Sequence, residues 1–261
     1  MLTYRSVSFL KEVSGLYYAE LKNTKNSTPI LPISNYFKIL NINWGLNFGH
    51  WKLVDWIIGL FYFMHKYSTD ELVAQKPSEE DFRHLKRNPI VFILHNIRSL
   101  ENVGLFFRLA DALMVEKIYL TGYTGYPRQE NDTRDERIVR HAESEINKTA
   151  IKIVPFVPWE HCEEIDPLLS KLRTTNLPAG RQGYQLIAVE QTDRSIDYRK
   201  AEYKFPLALI FGHERTGVED ELLEQCDLIV DIPMLGMGNS HNVAASGAII
   251  ASHLINFRLS S

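Results

Sequence analysis

The 261-residue sequence has few cysteines, no long apolar run and no excess of positive charge. Cys162 and Cys226 form no CxxC pair and no ligand cluster with the histidines, so we expect a reduced, cytoplasmic protein without a metal. The most apolar stretch, VDWIIGLFYFM at 54–64, is too short to cross a bilayer, so no membrane association is expected. The formal net charge of −3 argues against a protein that coats nucleic acid by bulk electrostatics, so any such contact must be local.

Several common enzyme motifs are incomplete. The loop FGHERTG at 211–217 lacks the Lys-Ser/Thr pair of a phosphate-binding P-loop, which disfavours nucleotide triphosphate hydrolysis. GMG at 236–238 lacks the third glycine of a dinucleotide fingerprint, which disfavours a nucleotide-binding oxidoreductase. Ser240 lies in GNSHN rather than in the GxSxG of a nucleophile elbow, which counts against a serine hydrolase.

The organisation of the chain changes near residue 88. Residues 1–88 show no chemical motif, and we expect a smaller, mainly helical region that ends in a charged helical connector at 68–89. From Pro89 onwards, short apolar runs alternate with amphipathic segments, which is typical of an α/β domain with a parallel sheet. The predicted strands are Ile90–Leu94, Lys117–Thr121, Ile151–Val157, Gln185–Glu190, Leu207–Phe211 and Leu228–Ile232.

Two apolar stripes at helical spacing predict helices that face the core. The first comprises Val103, Phe106, Phe107, Ala110 and Leu113, and the second comprises Val243, Gly247, Ile250, Ala251 and Leu254. Residues 176–183 contain a proline and two glycines and are expected to form a surface loop.

Polar side chains collect at the junction of the first predicted strand and helix. Ligands of open α/β sheets bind at the carboxyl ends of strands, where helix termini offer free amides. Arg108 follows Phe107, so we expect it to border the apolar face and to need an anion, either a phosphate or a structural carboxylate. Asn102 can alternatively be a simple helix cap. The polar residues of this first segment are Asn96, Arg98, Asn102 and Arg108.

Two further segments follow later strands. The second, residues 207–227, is a strand, a glycine-containing loop with Glu214, and a helix. Glu214 can bind a ligand or hold the opposing arginine, or it can be an exposed turn carboxylate. In the third, residues 228–254, either Ser240 or Asn242 can cap the final helix.

The order of these segments resembles the SpoU/TrmH family of the SPOUT superfamily, RNA 2′-O-ribose methyltransferases. The resemblance spans residues 89–257 and rests on NxRSxxNVGxxFRxADA, IFGxExxGV and IPMxGxxxSxN in that order. It implies a parallel sheet with a C-terminal trefoil knot, S-adenosylmethionine as methyl donor, tRNA or rRNA as substrate, and a homodimer with its active site near the subunit interface.

The resemblance also implies roles for individual residues. Arg108 matches the catalytic arginine, and the supporting polar residues are Asn102, Glu214, Ser240 and Asn242. The donor-binding positions are Gly212, Ile232, Met234, Gly236, Ser240 and His241, and the RNA-binding positions are Asn96, Arg98 and Arg108. Because arginine stays protonated, we expect Arg108 to orient the ribose and stabilise the developing alkoxide rather than to accept a proton.

Three residues depart from the family pattern. His241 replaces a common leucine, His213 a small polar residue, and Met114 a frequent glycine. His241 leaves an alternative open, namely an RNA-binding relative that no longer transfers methyl groups.

Overall fold

The computed structural model describes residues 67–175 and 183–260, with side chains described as far as residue 258. By its contacts the chain divides into two compact units, Met1–Lys76 and Pro77–Ser261. The predicted helical character of the N-terminal region and the apolar stretch at 54–64 lie outside the described residues, as does most of the loop expected at 176–183. The predicted boundary near residue 88 stays a prediction.

The charged connector forms two short helices, as predicted. Helix α1 (Thr69–Ala74) belongs to the first unit, and Ser68 and Glu71 cap it reciprocally through each other's backbone amides. Helix α2 (Glu79–His84) belongs to the second unit and begins after Ser78, whose hydroxyl accepts a hydrogen bond from the amide of Asp81.

The second unit contains a seven-stranded sheet in which every pair of neighbours is parallel. Its spatial order is β3-β2-β1-β6-β4-β7-β5. The strands are β1 (Asn88–His95), β2 (Val115–Thr121), β3 (Trp159–Cys162), β4 (Gln185–Val189), β5 (Ile196–Asp197), β6 (Leu207–Phe211) and β7 (Leu228–Asp231). The prediction of an α/β domain with a parallel sheet is confirmed.

Helices cover both faces of this sheet. The remaining helices are α3 (Leu100–Ala112), α4 (Glu136–Ala150), α5 (Asp166–Thr174), α6 (Asp220–Leu223) and α7 (Val243–Ser260). The side chains of β1 alternate between two cores, since Phe92 packs with α3 and α7 while Ile93 packs with α5 and α6. Both faces of β1 are therefore buried, which explains its continuous apolar sequence.

The two predicted helical stripes occupy the core as expected. On α3, the side chains of Phe106 and Phe107 are fully buried, and the ring of Phe106 contacts those of Phe92 on β1 and Phe211 on β6. On α7, Ile250, Ala251 and Leu254 are fully buried in the same core. No helix in the described ranges is long and apolar enough to span a membrane.

The prediction of a strand at Ile151–Val157 is wrong. Ile151 caps α4 in the left-handed conformation, and Val154–Phe156 forms a 3-10 helix with Pro155 in its first turn. A proline has no amide to donate to a sheet, so the apolar run bends and the third strand begins only at Trp159. The short edge strand β5 was also not predicted.

Candidate active site

The polar loops of the three sequence segments meet at one edge of the sheet. Strands β1, β6, β4 and β7 are consecutive neighbours and parallel, so their carboxyl ends lie side by side. His95, Phe211, Val189 and Asp231 are the last residues of these strands. This edge therefore brings together loops that are far apart in sequence, in the position where open α/β sheets bind ligands.

A cavity of about 520 Å³ opens between the loops that follow β4, β6 and β7. This volume falls within the range of roughly 300–1,000 Å³ that is typical of small-molecule sites. Six residues predicted for catalysis or donor binding line it: Gly212, Glu214, Ile232, Ser240, His241 and Asn242.

A hydrogen-bonded chain of three side chains connects the three segments. The Nδ2 of Asn102 donates to Oε1 of Glu214 over 2.9 Å, and the Nδ2 of Asn242 donates to Oδ1 of Asn102 over 3.0 Å. Asn102 is buried, so this chain fixes the rotamer of its amide. The simple cap proposed for Asn102 is wrong, because the N-cap of α3 is Ser99, whose hydroxyl accepts from the Asn102 amide.

Glu214 is bound by more donors than Asn102 alone. The backbone amides of Arg98 and Ser99 donate to its two carboxylate oxygens over 3.0 and 2.9 Å. Burial opposes ionisation of Glu214, but these hydrogen bonds and the one from Asn102 outweigh it, so the pKa of the carboxyl lies below its usual value. Glu214 is thus a charged residue whose hydrogen bonds hold the β6 loop against the start of α3, rather than an exposed turn residue.

The loop after β6 is held in a tight turn. Gly217 has φ +72°, and its amide donates to the carbonyl of His213 over 2.8 Å. The Nδ1 of His213 accepts hydrogen bonds from the amides of Arg215 and Thr216, so this unusual histidine closes the turn from within. His213 therefore stabilises the turn in addition to lining the cavity.

Glu190, at the carboxyl end of β4, was not identified from the sequence. Its Oε2 accepts a hydrogen bond from the amide of Val218 over 2.9 Å, and its side chain lies directly against Gly217. The residue follows a buried strand immediately, and that position is the signal that could have revealed it.

Asn242 has a second role at the start of α7. Its Oδ1 accepts from the amides of Ala244 and Ala245 over 2.9 and 3.2 Å, which identifies it as the cap of this helix. By contrast, no hydrogen bond within the described ranges involves the backbone groups of Gly212, Ile232 or Ser240. These free donors and acceptors line the cavity and are available to a ligand.

Arg108 lies away from the cavity, on the exposed face of α3 together with Glu101, Leu105 and Ala112. The prediction that Arg108 borders the apolar face is wrong. Residues three or four positions apart lie on the same side of a helix, and on α3 the side that Arg108 shares with Glu101, Leu105 and Ala112 faces solvent. The guanidinium has no hydrogen-bond or ion-pair partner within the described part of the chain, so no structural carboxylate is seen there. Among residues 67–175 and 183–260, Arg108 therefore remains free for another partner.

Two predicted donor-binding residues also lie outside the cavity lining. Met234 and Gly236 lie between the lining residues Ile232 and Asn239, and among the described residues nothing approaches within 4 Å of the position that a Gly236 side chain would take. The neighbouring Leu235 and Met237 are 97% and 101% exposed. This part of the loop thus presents apolar side chains to solvent.

A smaller cavity of about 310 Å³ shares part of its lining with the larger one. Arg98 and Ser99 line it together with His213, Glu214 and Arg215, and the last three also line the larger cavity. Asn96 does not line either cavity, since its side chain bonds to Glu219 and to the amide of Tyr123.

Met114 has φ 49°, a left-handed conformation that favours glycine. This conformation gives a physical reason for the frequent glycine of the family pattern at that position. Met114 lies after the end of α3, away from the cavity lining, so the departure concerns backbone strain rather than the site.

Solved structures share this fold. The AdoMet complex of the SpoU methyltransferase AviRb from Streptomyces viridochromogenes superposes with a TM-score of 0.55 at 19% identity, covering 71% of this chain and 64% of that one. The TrmH/SpoU tRNA modifying enzyme of A. aeolicus gives a TM-score of 0.52 at 21% identity, covering 70% and 81%. The seven-stranded parallel sheet is thus the fold of known SpoU methyltransferases.

Curated relatives match parts of the chain. The tRNA (guanosine(18)-2'-O)-methyltransferase of Borreliella burgdorferi is 26% identical over 199 residues, covering 76% of this chain and 79% of that protein. The Escherichia coli K12 protein of the same name is 38% identical over only 69 residues, which is 30% of its length. The chain therefore aligns with less than a third of that relative.

A family model shows the family of this chain. It matches residues 89–252, which include the sheet and all three polar loops of the site. The chain belongs to the SpoU rRNA Methylase family.

Proposed function

We propose that this protein transfers a methyl group from S-adenosylmethionine to a ribose 2′-hydroxyl of structured RNA, either tRNA or rRNA. The observation that carries the proposal is the Glu214–Asn102–Asn242 chain at the wall of the 520 Å³ cavity. Family membership and the names of the relatives support the same reaction class.

The cavity fits S-adenosylmethionine in size and in its polar groups. The free backbone groups of Gly212, Ile232 and Ser240 can bind the polar atoms of the donor, and Glu190 and Asp231 supply negative charge near a cationic ligand. When bound, S-adenosylmethionine would supply an electrophilic methyl carbon on a sulfonium, which an in-line ribose oxygen can attack while the C–S bond breaks and the neutral thioether leaves.

In this proposal the polar side chains of the site orient the substrate and do not themselves react with it. Glu214 and Asn242 hold the amide of Asn102 from both sides, which leaves one Nδ2 hydrogen for a substrate oxygen. Such fixed donors stabilise charge that develops during the reaction without having to reorient.

Arg108 stabilises the developing alkoxide or the neighbouring phosphate. Because an arginine stays protonated at neutral pH, it does not act as the base. Its free guanidinium supports this role, but its place outside the cavity requires a second element to bring RNA and donor together.

In our proposal, the partner subunit of a homodimer brings the RNA bound by Arg108 and the methyl donor together. The exposed apolar side chains of Leu105, Leu235 and Met237 are 38%, 97% and 101% exposed in the single chain, and burying them in a subunit interface is favourable. The exposed face of α3 that includes Arg108 would then face the site of the partner.

We also propose the finer organisation that the family implies. Strand β4 lies between β6 and β7 although it precedes both in sequence, an order compatible with a C-terminal trefoil knot. Residues 89–261 form the cytoplasmic methyltransferase domain, supported by the family match and by two free thiols, and residues 1–88 contribute to RNA recognition.

Incubation of the full-length protein with methyl-labelled S-adenosylmethionine and total tRNA or rRNA tests the reaction. We expect label in 2′-O-methylated nucleosides, and we expect Arg108→Ala to lose at least about a hundredfold in rate, as for other stabilisers of developing charge. Arg137→Ala is the control, because Arg137 is a 93% exposed arginine on α4. Absence of label on every RNA class contradicts the proposal.

Calorimetry with S-adenosylmethionine separates the enzyme from an RNA-binding relative without activity. Binding to the wild-type protein is expected. RNA binding in the absence of any affinity for the donor would favour the inactive relative.

A further inference from the structure

The smaller cavity beside Glu214 contains two arginines with no assigned partner. The guanidinium groups of Arg98 and Arg215 make no hydrogen bond or ion pair within residues 67–175 and 183–260. Both residues are exposed, and the cavity that they line shares Glu214 with the proposed donor cavity. Two free guanidinium groups beside a methyl-transfer site suit a phosphate of the RNA backbone.

An exposed aromatic ring lies next to the same wall. Tyr123, after β2, is 63% exposed, and its ring contacts that of His213 edge-on at 6.3 Å between centroids. His213 lines both cavities, so Tyr123 contacts a residue of their shared wall although it lines neither cavity itself. A large exposed ring in this place is a suitable surface on which a base can stack.

The backbone holds Tyr123 in a fixed position. The Oδ1 of Asn96 accepts a hydrogen bond from the Tyr123 amide over 3.2 Å, and Nδ2 of Asn96 donates to Glu219 over 2.9 Å. Asn96 and Gly122 both have left-handed φ values, 59° and +64°, and a side chain at Gly122 would collide with Asn96. Strained residues that are tied by hydrogen bonds are common where a ligand must meet a rigid surface.

From this arrangement we infer that Tyr123 is a stacking platform for a base of the RNA substrate, and that Arg98 and Arg215 bind its flanking phosphate. The inference rests on the proposed function. It assigns to Asn96 a positioning role, bracing Tyr123, in place of direct RNA contact. An unstacked base on Tyr123 would lie near His213, which lines both cavities.

The test uses full-length protein and total tRNA as the probe, with equilibrium binding measured separately from methyl transfer. Tyr123→Ala is expected to weaken RNA binding about tenfold, whereas Tyr123→Phe retains binding because it keeps the ring. Ile138→Ala, which truncates a 59% exposed side chain on α4, is the matched control.

The arginines are tested by the salt dependence of the same binding. Because both guanidinium groups bind the same phosphate, the double variant Arg98→Gln/Arg215→Gln is expected to lower the slope of log K against log salt by about 0.7, the value for one phosphate contact to a single strand. Arg137→Gln leaves the slope unchanged. Arg98 does not line the donor cavity, so Arg98→Gln also leaves donor affinity unchanged, which a general structural defect would not do.

The inference is overturned if the wild-type protein binds no RNA, or if Tyr123→Ala binds it as tightly as the wild type. It is also overturned if Tyr123→Phe is as weak as Tyr123→Ala. Methyl transfer by the wild-type protein reports separately on the proposed function. An active enzyme with no effect of Tyr123 therefore refutes only the inference.

Discussion

Replacing Glu214 by glutamine removes a charge from the centre of the site with almost no change in shape. The carboxylate accepts from the amides of Arg98 and Ser99 and from Asn102, whereas a glutamine offers one oxygen and an NH₂ that would face these donors. A hydrogen bond to a charged group contributes about 1.5–3 kcal/mol. Since Glu214 is partly exposed, we expect a total loss of about 2 kcal/mol.

A loss of that size is measurable by thermal unfolding. For a domain of this length, a loss of about 2 kcal/mol lowers Tm by about 4–8 °C. The rate of methyl transfer also falls, because Asn102 loses the carboxylate that holds its amide in place. Glu202→Gln is the control, since Glu202 is an exposed carboxylate in the same unit. If Glu214→Gln lowered Tm by less than about 1 °C, as the control does, Glu214 would not hold the β6 loop against α3.

The pH dependence of the difference gives a second check. The pKa of Glu214 in the folded protein is lower than its ordinary value of 4.5, so its ionised form is favoured by folding. The stability from this carboxylate is fully present above about pH 4.5 and is lost as the pH falls through the lower folded value. The Tm difference between the wild type and Glu214→Gln is therefore constant from pH 6 to 8 and shrinks below about pH 4.5, and a difference that grows toward acid pH contradicts this assignment.

Three further substitutions test neighbouring features. Gly217→Ala forces a side chain into a left-handed turn 2.2 Å from a glutamate oxygen, so we expect a Tm lower by several degrees and weaker donor binding by calorimetry, whereas Gly236→Ala enters open space and leaves Tm unchanged. Asn242→Asp keeps the oxygen that caps α7 but places a carboxylate oxygen against Oδ1 of Asn102, so we expect a lower Tm together with a fall of about tenfold in methyl transfer; a wild-type rate would show that the residue acts only as a cap. His241→Leu restores the residue frequent in the family and is expected to tighten donor binding about fivefold, or ~1 kcal/mol, and weaker binding would show that the histidine itself contacts the donor.

The sheet could be predicted largely from local composition. The run LALIF at 207–211 is apolar at every position and is fully enclosed as β6. The run at 151–157 is also apolar except for Lys152, but Pro155 and the left-handed Ile151 prevent regular pairing there. Composition indicates burial, while the choice between strand and 3-10 helix depended on a single proline within the run.

The site residues could be predicted individually, but their contacts could not. Asn102 and Glu214 are 112 residues apart, and Asn102 and Asn242 are 140 apart. Their meeting depends on β6 lying next to β1, a strand order that periodicity does not encode. Arg108 shows the reverse case, because its sequence position suggested a place at the border of the apolar face, whereas it lies on the exposed face of α3.

The position of Glu214 explains why the three segments act as one site. Without this carboxylate, the exposed amide of Arg98 and the partly buried amide of Ser99 at the start of α3 would lose their charged acceptor, and a hydrogen bond to a charged group contributes about 1.5–3 kcal/mol. Docking of the β6 loop onto α3 and orientation of the Asn102 amide are thus the same event. Since Asn242 donates to that amide and also caps α7, the direction in which α7 leaves the site depends on the same carboxylate. A perturbation at Glu214 should therefore reach the donor cavity through α7 as well as through its own loop.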